Sequence, residues 1–185
     1  MRIISGSHSR RIISPPKNLP VRPTTDMAKE GLFNILNNRI DFHNLTALDL
    51  FAGTGAISYE LVSRGCCKVI AIDKNFRCIK FIKKTADVFG MEQIKAICTD
   101  VFKYIKTSSK TFDLIFADPP YALTGIEDIS KLVFENKLLN RSGWLIVEHP
   151  KEVDLSKQKY FQEHRKYGQV NFSFFLLAEA KNPEA

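Results

Sequence analysis

The chain is 185 residues long, 44% hydrophobic and 25% charged, with a formal net charge of +7. That composition fits one globular domain with a short appendage, and no apolar run reaches the ~18 residues a membrane span needs. The positive excess is uneven: residues 1–25 carry Arg2, Arg10, Arg11, Lys17 and Arg22 and no acid, which suits an arm that meets a polyanion, most often nucleic acid, or else a solvated tail.

Within this arm two β-like runs, "RII" at 2–4 and "RII" at 11–13, flank "SGSHSR", and a small hairpin is expected. Residues 14–23, "SPPKNLPVRP", exclude helix through their prolines. A helix then opens in "TTDMAKEGLFNILNN", with Thr24 or Thr25 as its cap and Leu32, Phe33, Ile35 and Leu36 as its apolar face. From residue 46 strands and helices alternate. "TALDLF" is a strand, "GAISYELVSRG" a helix, "KVIAID" a strand, and "NFRCIKFIKKTADVFG" a helix capped by Asn75 and ended by Gly90. "IKAICTD" is a strand, "VFKYIKTS" a short helix, "FDLIFAD" a strand, "GIEDISKLVFENKLL" a helix and "GWLIVEH" a strand. The last segment, "KYFQEHRKYGQVNFSFFLLAE", reads as an antiparallel hairpin turning at "YGQ". This rhythm predicts an α/β fold: a Rossmann-like, seven-stranded, mostly parallel sheet with helices on both faces. Residues 1–25 are expected to form a basic arm and residues 26–185 the main domain.

Residues suited to chemistry gather at the carboxyl ends of the predicted strands, where open α/β sheets bind ligands. Gly53 and Gly55 in "DLFAGTG" permit a tight turn and close approach of a ligand to the backbone. Ser58 stands where a dinucleotide fingerprint would have its third glycine, so the loop suits NAD, a nucleotide or S-adenosylmethionine. Asp73 can accept from both hydroxyls of a ribose, or cap a helix. Asp100 with the amide of Val101 can read the amino edge of adenine, although an N-cap is the plainer role. In "DPPY", Asp118 supplies an acceptor, Pro119 and Pro120 stiffen the turn so that its carbonyls point outward, and Tyr121 offers a flat ring. That corner suits a planar amino donor stacked on the tyrosine.

Together "DLFAGTG" and "DPPY" resemble the motifs of class I S-adenosylmethionine-dependent methyltransferases that act on exocyclic amines. "MRIISG", "RPTTDMAKEGLFNIL", "LDLFAGTGAISYELVSRG" and "DLIFADPPY" further resemble the RsmD-type family, bacterial enzymes that methylate N2 of a guanine in 16S ribosomal RNA. The resemblance implies S-adenosylmethionine as cofactor, held by Asp49, Gly53, Gly55, Asp73, Asp100 and Val101, and S-adenosylhomocysteine as product. It implies Asp118, Pro119 and Tyr121 as the catalytic group. Arg2, Arg10, Arg11, Lys17, Arg22 and Thr24 are implied to contact the RNA, within the arm and the "RPTTD" segment. In one place the chain departs from the family, which often has a Gly-Arg pair near the tenth residue where this chain has Arg10 and Arg11. The implied partner is 16S ribosomal RNA in a small-subunit assembly particle, met by a monomeric enzyme in the cytoplasm. Residues 1–23 lack the apolar core of an export signal, and no metal site is expected. Other readings are an amino methyltransferase of DNA (adenine N6 or cytosine N4) or of another RNA, a non-catalytic RNA-binding module, and an NAD enzyme that leaves "DPPY" unexplained.

Blander roles are expected elsewhere. Cys66, Cys67, Cys78 and Cys98 read as reduced core or near-core thiols. Phe172, Phe174 and Phe175 read as core, the lysines of "KFIKK" as solvated, and Trp144 as core or pocket wall. Glu148 and His149 read as a polar strand end or an RNA contact, and His8, His43 and His164 are given no role.

Overall fold

The computed structural model describes residues 1–16, 19 and 26–177. Helix α1 (Asp26–Asn37) precedes strand β1 (Thr46–Leu50) and helix α2 (Ala56–Ser63). Strand β2 (Lys68–Asp73), helix α3 (Phe76–Phe89), strand β3 (Ile94–Cys98) and helix α4 (Val101–Thr107) follow. Strand β4 (Phe112–Ala117), helix α5 (Glu127–Glu135) and strand β5 (Leu139–His149) lead to the terminal pair β6 (Phe161–Tyr167) and β7 (Val170–Leu176). The strands form one seven-stranded sheet in the order β3-β2-β1-β4-β5-β7-β6. Strands β1 to β5 pair in parallel, and β7 runs antiparallel to both β5 and β6. The expected α/β architecture and terminal hairpin are therefore present.

Alternation along the strands divides the core between two faces. Ala47, Val69, Ala71, Leu114 and Phe116 pack with α1, α2 and α3, whereas Leu48, Ile70, Ile72, Ile115 and Ala117 pack with α4 and α5. Phe172, Phe174 and Phe175 are fully buried, as expected for core. Helix α3 starts at Asn75, whose side chain accepts from the Arg77 amide, and ends at Gly90 in the left-handed region.

Two expected element bounds need correction. The helix expected over 125–139 stops at Glu135, because Lys137 takes a φ of +54° and turns Leu138 and Leu139 into the core. Strand β5 consequently begins at Leu139, ahead of the expected Gly143, and its pairing with β4 is irregular between Phe112 and Leu114. The arm's expected hairpin is present and short: around one antiparallel bridge, Arg2 with Ile12, the Ile3 amide donates to the Arg11 carbonyl, the Arg10 amide to the Ile3 carbonyl and the Ile13 amide to the Met1 carbonyl, while the Ser7 amide at its tip donates to the Ser63 carbonyl of α2. Two cysteines also differ. Cys66 and Cys78 are buried, but Cys67 and Cys98 are exposed, the latter on β3 at the sheet's edge.

Residues 1–13 pack onto the sheet domain. Ile3 and Ile13 are buried in the core with α1 to α3. Gly6 lies so near α2 that a Cβ there would sit 1.8 Å from the Ser63 carbonyl oxygen. Among the described residues no helix is long and apolar enough to cross a membrane.

Candidate active site

The chain order reverses at β1, which has β2 on one side and β4 on the other. Such a switch point opens a crevice beyond the strand ends. The loop from β1 to α2 lies there. Gly53 and Gly55 take φ values of +53° and +80°, which only glycine adopts without strain. A Cβ on Gly55 would also meet Ile82 and Tyr59 at 2.9 Å. The turn is closed by the Gly55 amide donating to the Ala52 carbonyl at 2.7 Å.

Asp49 lies beneath the loop, 2% exposed, and its Oδ2 accepts from the Ser58 amide at 3.1 Å and the Ser58 hydroxyl at 2.6 Å. Ser58 is the third residue of α2, so Asp49 stabilises that helix's N-terminus from the neighbouring strand. Burial raises its carboxyl to about 7, opposed by the Ser58 hydroxyl and reinforced by the nearby Asp118 and Asp73. Asp49 thus supports the loop from below.

Asp73 ends β2 and holds two segments together. Its Oδ2 accepts from the Gly53 amide at 2.9 Å and its Oδ1 from the Asn75 amide at 2.7 Å. Each carboxylate oxygen can accept twice, so both can still receive a ribose hydroxyl. Asp100 is the N-cap of α4, with Oδ1 accepting from the Lys103 amide at 2.9 Å. The capping contact engages one of its two carboxylate oxygens. The Val101 side chain is buried against α4's side of the core.

The "DPPY" corner follows β4. The Asp118 amide donates to the Leu50 carbonyl at 3.3 Å, which places the corner beside the glycine loop. Pro119 is buried and Pro120 exposed. One expectation fails in part: the Pro120 carbonyl does not point outward unpartnered, because it accepts from the Leu123 amide at 2.8 Å. A four-residue turn closes there. Tyr121 is 46% exposed, an unusual state for a large ring, and its hydroxyl donates to Glu148 Oε1 at 3.3 Å.

Glu148 and His149 end β5 and are 4% and 2% exposed. The His149 Nδ1 faces the Pro150 carbonyl at 2.9 Å, so it carries the proton, and Nε2 accepts from the Ser173 hydroxyl at 2.8 Å. Burial lowers the His149 pKa, consistent with a neutral ring. His149 therefore ties β5 to β7. Glu148 meets the "DPPY" corner through the Tyr121 hydroxyl, where the sequence offered a polar strand end or an RNA contact.

The basic arm meets the domain through residues that the motifs did not mark. Glu60, fully buried in α2, accepts from the Ile4 amide at 2.7 Å and the Ser5 amide at 3.1 Å. Its charge faces Arg64 Nε at 2.8 Å and Lys29 Nζ at 3.6 Å. Lys29 also donates to the Arg2 carbonyl. Met1 reaches the glycine loop, with Sδ 3.3 Å from the Thr54 hydroxyl. Of the expected RNA contacts, Arg2 is 3.3 Å from Asp26, Arg11 lies 5.1 Å over the Phe89 ring, and Arg10 is exposed at a φ of +67°. Lys17, Arg22 and Thr24 lie outside the described residues, as does the Thr24 or Thr25 cap.

Comparison with known proteins agrees with this arrangement. The YlbH protein of Bacillus subtilis is 34% identical over 161 residues, covering 84% of this chain and 85% of that protein. Ribosomal RNA small subunit methyltransferase D of Haemophilus influenzae is 31% identical over 159 residues, covering 84% and 81%. The solved structure of yhhF from Escherichia coli superimposes with a TM-score of 0.83 over 95% of this chain and 97% of that one, and at 24% identity it speaks for the fold. The family described as Conserved hypothetical protein 95 matches residues 1–176, and the chain therefore belongs to that family, the RsmD-type family its motifs resemble.

Proposed function

We propose that this protein transfers a methyl group from S-adenosylmethionine to the N2 amine of a guanine in 16S ribosomal RNA. The observation that carries the reading is the Asp118 amide's bond to the Leu50 carbonyl, which sets the acceptor corner against the glycine loop. The residues present fit the cofactor: positive-φ glycines expose the loop backbone, and Asp73 offers two oxygens at ribose position. Bound there, the cofactor supplies a methyl group on a positively charged sulfur. Gly53, Gly55, Asp73, Asp100 and Val101 would hold it, with Asp49 supporting the loop.

The chain's own work is positioning. A guanine leaves its stack and lies against Tyr121. Its N2 lone pair is delocalised into the ring and is a weak nucleophile. Asp118 and the Pro119 carbonyl accept the two amine hydrogens and turn the lone pair out of the ring plane. Holding the amine in line supplies most of the acceleration. The Asp118 carboxylate then receives the proton that the methylated amine releases.

The arm supports RNA affinity through Arg2, Arg10 and Arg11, together with Lys17, Arg22 and Thr24. Residues 1–25 act as the RNA-contacting arm and residues 26–185 as the methyl-transfer domain. The RNA is presented in a small-subunit assembly particle, to a monomeric enzyme in the cytoplasm. Labelled S-adenosylmethionine offered with 16S rRNA, small-subunit particles and duplex DNA tests the reading. Label should enter rRNA as N2-methylguanosine, and Asp118→Ala should lose transfer while keeping cofactor binding. Label in duplex DNA alone, or wild-type rates from Asp118→Ala, would overturn it.

A further inference from the structure

Nothing in "DPPY" separates guanine from adenine or cytosine, because each offers an amino group on a flat ring. We infer that Glu148 makes that distinction, by accepting a hydrogen bond from guanine N1–H beside the reacting amine; the inference rests on the methyl-transfer reading above.

The placement comes from the sheet. Ala117 of β4 pairs with Val147 of β5, and both belong to the core on the side of α4 and α5. The next residues, Asp118 and Glu148, lie side by side and turn to the opposite face. Two contacts agree with this. Glu148 pairs in register with Phe172, which packs on the α1–α3 side. Asp118 is close enough to Asp49, which bonds Ser58 of α2, to raise its pKa. Two carboxylates at the ends of neighbouring strands thus fall on one side of the sheet, at an ordinary strand spacing of roughly 4.8 Å between backbones. Glu148 is held there by the Tyr121 hydroxyl at 3.3 Å, from the ring on which the base would stack. A carboxylate accepts several hydrogen bonds at once, so this contact is compatible with a second donor from the base.

The chemistry of the bases then decides. Guanine alone places an N–H donor, N1–H, next to its amino group. Adenine has the N1 acceptor beside its N6 amine, and cytosine has the N3 acceptor beside its N4 amine. With Asp118 on the amine, a neighbouring carboxylate pairs with guanine and meets a lone pair in the other two. Glu148 is 4% exposed, so water cannot readily relieve that mismatch. A site built to receive a hydrogen bond rejects a ligand lacking the donor by large factors, about 10⁴–10⁵ in well-ordered cases.

The probe is 2-aminopurine, which keeps the N2 amine but has an acceptor at N1. Once the modified guanine is mapped, small-subunit particles are reconstituted with guanine or 2-aminopurine at that position. The wild-type protein should prefer guanine by at least about 100-fold in kcat/KM. Glu148→Gln can turn its amide NH₂ toward the N1 acceptor, and should narrow that preference at least tenfold. Tyr121→Phe removes the hydroxyl contact but leaves the carboxylate, and should retain the preference. A wild-type protein that uses both bases equally overturns the inference. So does a Glu148→Gln preference within threefold of wild type, or a Tyr121→Phe preference that collapses equally. If Glu148→Gln transfers to neither base, equilibrium binding of the two particles with S-adenosylhomocysteine decides, and a retained guanine preference again overturns it. Should Glu148→Gln fail to fold, the wild-type preference decides. Absence of wild-type transfer to the guanine particle would instead sink the methyl-transfer reading itself.

Discussion

Lys29 of α1 and Glu60 of α2 face each other across 3.6 Å and are 1% and 0% exposed. Neither charge has water, so each depends on protein partners. Burial lowers the Lys29 pKa, and Glu60 opposes that shift. Glu60 also receives Arg64 and the arm's amides at Ile4 and Ser5. The pair therefore joins two helices and the N-terminal arm.

Removing one member of a buried pair leaves the other uncompensated, which costs about 3–5 kcal/mol. Glu60→Leu strips the partner from Lys29, Arg64 and two amides, and is expected to fall in that range. Lys29→Met should cost less, since Arg64 and the amides still serve Glu60. The double variant should be more stable than the summed losses, as expected for residues in contact. Urea denaturation of the four proteins measures the coupling.

Arg10 stands at a φ of +67°, in the left-handed region that favours glycine. An L-residue in this region costs roughly 1–2 kcal/mol, and glycine returns about half of that gain as unfolded-state entropy. Arg10→Gly should thus stabilise the protein by about 0.5–1 kcal/mol. If Arg10 contacts a phosphate, the same change should lower RNA affinity and reduce the log–log salt slope by about 1. Thermal melts and binding titrations at several salt concentrations separate the two effects.

The Asp49 carboxyl sits at about 7 in the folded protein, against 3.8 for the unperturbed group. The folded state therefore holds a proton that the unfolded chain releases. Stability from this group is fully present below about pH 4 and is lost as pH rises to about 7, then stays level. Asp49→Asn keeps an oxygen for the Ser58 donors and removes the titration. The wild-type-minus-variant stability should fall by up to roughly 4 kcal/mol between pH 4 and 8, at 1.36 kcal/mol per unit. Denaturant unfolding across that range measures it.

Tyr121 is proposed as the stacking face. Tyr121→Ala should lose about 1–3 kcal/mol of stacking, or roughly 5- to 150-fold in kcat/KM for methyl transfer. Tyr121→Phe keeps the face and should lose far less. Equal losses in the two variants would show that the hydroxyl, rather than the ring, carries the effect.

Local patterns along the chain carried the architecture and the sheet edge at which the motif residues gather. Periodicity and glycine punctuation are local signals, and they placed the strands, the helices and the ends where Gly53, Asp73, Asp100 and Asp118 stand. The motifs were legible because each needs a fixed spacing along the chain. Tertiary structure alone decided the rest. The bulged entry to β5 depends on Lys137's backbone and on pairing with β4, which no local pattern carries. Lys29 and Glu60 lie 31 positions apart on two helices, and no local pattern marks them as a buried pair. Glu148 reads as a polar strand end or an RNA contact until β5 pairs with β4, Val147 opposite Ala117, and its carboxylate receives the Tyr121 hydroxyl. Side chains that act through neighbours distant in the chain have no spacing to betray them, and only the folded sheet brings them together.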